Sequence, residues 1–412
     1  LLKGFEMNKD ELLASMDEKS CLDFLARMVQ HKSYSATPEE RRLAEFMAGQ
    51  MTDIGLDSRL LAVPGDRLNA VGTLKGTGGG HSLLFNGHLD TNPVTEGWTV
   101  DPWAGKIDSD YIYGIGVSNM KAGDAAYFCA LKTLIDAGIK LKGDVVLTYV
   151  VGELQGGVGT VAAINQGIKA DYFVNSEPTD LQALTMHAGS LMFTIELTGD
   201  TRHLSKREDA VDAIQAALEL IPRINSIKFS GAQSSEHEKI NRGHIGVIHG
   251  ALGQDLQEWR PPQVADFVRL RGSARYAPGQ TIESVLSDLR KMLDDLCAMH
   301  PGLKAELIDE TAPDRPVMGP FEVSHDSPIV KAINAAYKSV RGTPQPTGAI
   351  TPPAFYGTDA GHFYNMLGME GIVCGPGGKF NTMPDERVDI IDYLDMIRVY
   401  MLTILDICEI SE

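Results

Sequence analysis

Three short apolar runs, each breaking into a polar loop that carries an acid or a histidine, constrain this chain more than any other feature. They are "HSLLFNGHLD", "DVVLTYVVGEL" and "DYFVNSEP". Continuous apolar runs of this length read as strands buried on both faces. Between and after them lie helical patterns, "NMKAGDAAYFCALKTLIDAG" and "GVGTVAAINQG". Strands alternating with helices predict an α/β domain with a mixed, mostly parallel sheet and helices on both faces. Such sheets gather their ligands beyond the carboxyl ends of the strands. His88, Asp90, Glu153 and Glu177 all fall at such ends. Upstream, "EKSCLDFLARMVQ" and "ERRLAEFMAGQMTDIG" have helical spacing, the second stopping at Gly55.

The chain has 412 residues, too many for one ordinary core. Near Ser190 the texture changes. "SLMFTIELTGD" alternates as a half-buried strand, a helix follows in "REDAVDAIQAALELIPRINS", and then come "GHIGVIHGAL", "ADFVRLRGSARY" and a helix from Thr281 to Met299. This pattern predicts a small α+β domain inserted into the larger one. The expected division is 1–189, 190–306 and 307–412, the outer parts forming one domain.

Acidic residues number 55 against 37 basic ones, a formal net charge of −18. Such a surface repels phosphate backbones, so no nucleic-acid partner is expected. No apolar run approaches the roughly 20 residues of a bilayer span, so no membrane partner is expected either. The opening "LLKGFEMNKDELLASMDEKS" lacks a secretory pattern. Met7 is read as the natural start, with six added residues before it. Five cysteines (Cys21, Cys129, Cys297, Cys374 and Cys408) are scattered without a CxxC pair, as expected of reduced thiols in a cytoplasmic protein.

His88 and Asp90 stand two apart after a strand, which suits a metal-ligating imidazole with a carboxylate to orient it. With Glu153 and Glu177 at two further strand ends, the constellation predicts a metal site or an acid–base site. His81, His237, His300 and His325 are expected to be ordinary solvated or satisfied residues. His187, in "TMHAGS", is expected at a hinge or an active-site wall. His362, at a helix start, is expected in a wall or the core. "GPGG" is a tight turn, since no Lys-Ser/Thr follows to make a phosphate cradle.

The segments "NGHLDTNPV", "DPWAGKIDSDYIYGIGVSNMKAG", "GELQGGVGT", "NSEPTD", "GTDAGHFY" and "GPGGKFNTMPDERV" occur in this order along nearly the whole chain. In residues and spacing the chain resembles the aminoacylase, carboxypeptidase G and succinyl-diaminopimelate desuccinylase family of metallohydrolases. The resemblance implies a catalytic α/β domain that holds metal, with a lid domain that dimerises. It implies His88 and Glu177 as ligands of the first metal, Asp90 behind His88, and Glu153 as the base that activates water. It implies His203, in "GDTRHLS", as the group that stabilises the oxyanion, often from the partner subunit. Asn241 and Arg275 match the residues that hold a substrate carboxylate, with His187 near them.

Three positions depart from the family pattern. The bridging Asp is Asn119, the next Glu is Leu154, and the loop before "PDERV" has Asn381 in place of a His. These are the protein ligands of the second metal. Two divalent ions about 3.5 Å apart would keep only Glu177 of three compensating carboxylates and would repel each other severely. One Mn²⁺ or Zn²⁺ ion on His88, Glu177 and the Asn119 amide oxygen is expected instead. With one Lewis acid lost, the expected reaction is cleavage of a C–N bond at an unusual electrophile. The leading expectation is an aminohydrolase that replaces an aryl amine by hydroxyl on a carboxylate-bearing, 5-nitroanthranilate-like aromatic. The alternatives are an N-acyl amino acid deacylase or small-peptide hydrolase, and a non-catalytic binding relative.

Overall fold

The computed structural model describes residues 8–258, 261–312 and 315–411. The expectation about Met7 lies outside the described residues. The chain divides into two compact units. The first takes the residues up to Met186, Phe321–Pro353 and those from Thr358 onward, and the second takes His187–Pro320 and Ala354–Gly357.

The first unit is α/β. Its eight-stranded mixed sheet runs Asp57–Val63, Arg67–Leu74, Val145–Val150, Leu83–His88, Tyr172–Asn175, Glu370–Val373, Ala183–Leu184 and Thr347–Gly348. The central strands are parallel and the outer pair Asp57–Val63 and Arg67–Leu74 is antiparallel. Every residue of Val145–Val150 and Leu83–His88 is buried, as a sheet covered on both sides requires. Phe85 packs against Tyr127 and Tyr400 of the helices Ala122–Asp136 and Ile390–Cys408. Asn86, pointing to the opposite face, donates to Thr160 in the helix Val158–Asn165. Helices therefore cover both faces.

The second unit is α+β. Its antiparallel sheet runs Arg242–Ala251, Phe267–Tyr276, Gly189–Thr198 and Lys304–Asp309. Leu191, Phe193, Ile195 and Leu197 point into a core shared with the helices Ala213–Asn225 and Ile282–Met299, while the intervening Met192 is 60% exposed. This unit extends beyond the expected edge at 306. Lys304–Asp309 pairs with Gly189–Thr198, from Lys304 opposite Thr198 to Asp309 opposite Phe193. A mostly exposed edge strand carries no local mark of which sheet it joins. Among the described residues no helix is long and apolar enough to cross a membrane.

Candidate metal centre and active site

Three neighbouring parallel strands build the site. Across Leu83–His88, His88 lies opposite Val150 and Asn86 opposite Asn175. The carboxyl ends of all three strands therefore open along one edge of the sheet. His88 is the last residue of its strand, and Glu177 stands two residues beyond Asn175. Glu153 follows a turn at Gly152, whose φ of +77° favours glycine and where a Cβ would lie 2.4 Å from Val158. One donor atom each of His88, Glu153 and Glu177 falls within 4.8 Å of the others, and all three residues are buried. His88 Nε2 is 3.5 Å from Glu177 Oε1, 4.0 Å from Glu153 Oε2 and 3.0 Å from Asn119 Oδ1.

This donor set fits a divalent cation. Two ligands about 2.1 Å from a tetrahedral ion stand about 3.4 Å apart, which is the His88–Glu177 spacing. The electrostatics agree. Burial opposes a charge on His88, yet Glu177, Glu153, Asp90 and Asp124 outweigh it and draw the ring up to about 10. Burial, with Asp359 and Asp90 adding and His88 opposing, raises Glu177 to about 7. Burial and then Glu177 push Glu153 well above the carboxylate range. Carboxylates packed this closely out of water call for positive charge among them.

Asp90 plays a different part from the expected one. His88 Nδ1 donates to the Asp90 backbone carbonyl at 2.8 Å, which turns Nε2 toward Glu177 and Asn119. The Asp90 carboxylate is 3.6 Å from Nδ1. It accepts the N–H groups of Gly152, Glu153 and Leu154 at 2.8, 3.1 and 3.3 Å and the Ser35 hydroxyl at 2.7 Å. Four donors hold it on the Glu153 loop in preference to one ring N–H. His362 braces the same loop, its Nε2 2.8 Å from the Gly156 carbonyl. Nearby, the buried Asp359 accepts from Thr160 at 2.8 Å, and burial raises it to about 6.

The Asn119 side is built without charge. The helix expected from Asn119 begins at Ala122, because Asn119 and Met120 have non-helical backbones. The carboxylate of Glu386 holds this segment, accepting the N–H groups of Ser118, Asn119 and Gly116 at 2.9, 3.1 and 3.3 Å. Sequence reasoning gave Glu386 no role. Its only signal was its place in "PDERV", and its partners lie 267 to 270 residues earlier. Leu154 is 39% exposed. Thr382, rather than Asn381, shares with Asn119 a cavity of about 250 Å³, walled also by Pro93, Trp98, Ile115 and Met383. The Trp98 Nε1–H is buried there without a hydrogen-bond partner.

The remaining expected residues belong to the second unit. His203 is exposed, and its Nδ1 accepts the Ser205 N–H at 3.2 Å, so the neutral ring carries its proton on Nε2. Both side-chain polar atoms of Asn241 are buried and unpartnered, which costs roughly 1–3 kcal/mol for each unmet group. Arg275 donates from Nε to the Phe355 carbonyl at 3.0 Å, and burial lowers its pKa. His187 is fully buried, its Nδ1 3.1 Å from the Ala188 carbonyl.

A buried His–Glu–Glu cluster at the strand ends of an α/β sheet is a candidate metal centre. The sequence profile of peptidase family M20/M25/M40 matches residues 84–406, and the chain belongs to that family. It is a metal-dependent hydrolase acting on C–N bonds, which removes the expected alternative of a non-catalytic relative. It is 26% identical to the N-formyl-4-amino-5-aminomethyl-2-methylpyrimidine deformylase of Bacillus subtilis (strain 168), over 99% of this chain and 97% of the relative. It is 26% identical to the acetylornithine deacetylase of Aliivibrio fischeri (strain ATCC 700601 / ES114), over 75% of this chain and 80% of the relative. The fold matches aminopeptidase PepT from Bacillus cereus ATCC 10987 with a TM-score of 0.77, at 19% identity over 96% of this chain and 100% of the other. These relatives are a deformylase and a deacetylase, so they favour the deacylase alternative over the expected aryl aminohydrolase.

Proposed function

We propose that this chain hydrolyses the N-acyl amide of a small, carboxylate-bearing amine, with Glu153 as the base and one divalent ion on His88, Glu177 and Asn119. The observation that carries this reading is the buried His88–Glu153–Glu177 cluster. The similarity to a deformylase and a deacetylase supports the choice of bond. A divalent ion there, Mn²⁺ or Zn²⁺, supplies Lewis acidity and makes water a nucleophile near neutral pH. Glu153 takes the proton of the attacking water and delivers it to the departing nitrogen, which leaves poorly unless protonated. The cavity beside Asn119, with the free Trp98 N–H, takes an uncharged part of the substrate.

On the second unit, His203 offers Nε2–H to the oxyanion, Asn241 and Arg275 hold the substrate carboxylate, and His187 is wall. A homodimer through this unit is supported by its edge strand Arg242–Ala251, which carries the exposed Val247 and Ile248. Five free cysteines support a cytoplasmic setting.

A second reading, the aryl aminohydrolase, is favoured by the uncharged Asn119 and Leu154 alone. The two part in one assay. Metal-loaded enzyme is given N-formyl and N-acetyl amino acids, dipeptides and aminoaromatic acids. Release of the carboxylic acid supports deacylation. Ammonia from the aromatic acids with no acid released from the amides supports the second reading.

A further inference from the structure

Arg242 and Arg275 are direct partners across antiparallel strands, so their side chains leave the sheet on the same face. Like charges in this position repel. Here a single residue steadies both. The Phe355 ring lies 3.8 Å below the Arg242 guanidinium, and the Phe355 carbonyl accepts Arg275 Nε at 3.0 Å. Among the described residues neither arginine has an ion-pair partner, whereas Arg269 and Arg271, further along Arg275's own strand, are paired with Glu196 and Glu310. Stacking on an aromatic face holds a guanidinium in place and leaves its N–H edge free for a carboxylate.

We propose that Arg242 supplies a second positive charge beside Arg275, so that the enzyme selects substrates whose amine portion is a dicarboxylate. The proposal rests on the reading of Arg275 as a holder of the substrate carboxylate. Arg275 takes one carboxylate and Arg242 the other. The anion relieves the repulsion between the two guanidinium groups, and a substrate with one carboxylate leaves half of that repulsion in place. Arg242 is thus a specificity-determining residue, and the chemistry at the metal centre does not need it.

The test compares isosteric pairs, N-acetyl-aspartate with N-acetyl-asparagine and N-acetyl-glutamate with N-acetyl-glutamine, by kcat/KM. Wild-type enzyme should prefer the dicarboxylate of each pair by about 10- to 100-fold, the range of a charge-assisted hydrogen bond. Arg242→Met should bring the ratio close to one, and Arg242→Lys should restore part of it. No preference in the wild type, or the same preference in Arg242→Met, overturns the proposal. If no N-acyl compound is turned over, the deacylase reading fails and binding decides this inference separately. Succinate should then raise the thermal midpoint of metal-loaded wild-type protein more than its isostere succinamate, and Arg242→Met should lose the difference. Equal protection by the two in the wild type overturns the proposal.

Discussion

Around His88 the metal centre is charge sealed from water, and around Asn119 it is neutral groups beside a cavity. His88, Glu153 and Glu177 are each 9% exposed or less, and Asp90 and Asp124 stand fully buried behind them. On the other side Asn119, Leu154 and Thr382 bring no charge. The Glu386 carboxylate behind them is spent on three backbone N–H groups. The difference teaches that one half of such a centre can keep its electrostatic demand for a cation while the other half becomes binding surface. On the one-ion reading proposed above, a single ion satisfies the charged half, and a second would face the neutral half with no ligating carboxylate there to offset its repulsion.

The most severe way to break this comparison is at Glu153. Glu153→Gln keeps the shape and removes the base, so kcat should fall by about 10²- to 10⁴-fold with the metal content unchanged. Loss of bound metal along with turnover, measured by elemental analysis, would make Glu153 a ligand and redraw the charged half. Next in size is Glu386→Ala. It strands the N–H groups of Gly116, Ser118 and Asn119, and should cost about 3 kcal/mol in denaturant unfolding. Glu386→Gln, which keeps an acceptor oxygen, should cost clearly less. Equal losses in the two variants would mean that packing, not hydrogen bonding, holds the neutral half.

A smaller effect concerns Lys121, fully buried just after Asn119, with Nζ donating to the His31 carbonyl at 2.9 Å. Burial pushes Lys121 down to about 7, against the pull of Asp124 and Glu386. Between about pH 7 and 10 the unfolded chain therefore binds the proton that the folded chain has released, and this residue makes stability rise with pH. Lys121→Met should be favoured over wild type most at pH 6 to 7. That difference should shrink by up to about 1.4 kcal/mol per pH unit above pH 7. A difference that stays flat with pH would show that Lys121 keeps its ordinary hold on the proton and stays charged in the folded chain. The smallest effect is expected at Asn119. Metal titration should give one tight equivalent in wild type. Asn119→Asp should admit a second ion only weakly, because Leu154 and Asn381 stay as they are. Two tight equivalents in wild type would refute the one-ion reading and erase the contrast between the halves.

Much of the charged half was legible because its signals are local. An apolar run ending in His88, Glu153 or Glu177 announces a strand and the residue at its end, since burial on both faces demands such a run. The neutral half was legible only as departures from a pattern.

The sequence by itself determined the alternation of strand and helix, the acids and histidine at strand ends, and the absence of charge at residues 119 and 154. Tertiary structure alone decided that Val145–Val150, Leu83–His88 and Tyr172–Asn175 lie side by side and in parallel. It also decided that Asp90 holds a loop rather than a ring, that Glu386 reaches back to Asn119, and that Arg242 faces Arg275. The physical reason is that burial and backbone propensity act through near neighbours in the chain. Register and charge pairing act through neighbours in space, and only the folded sheet brings those together.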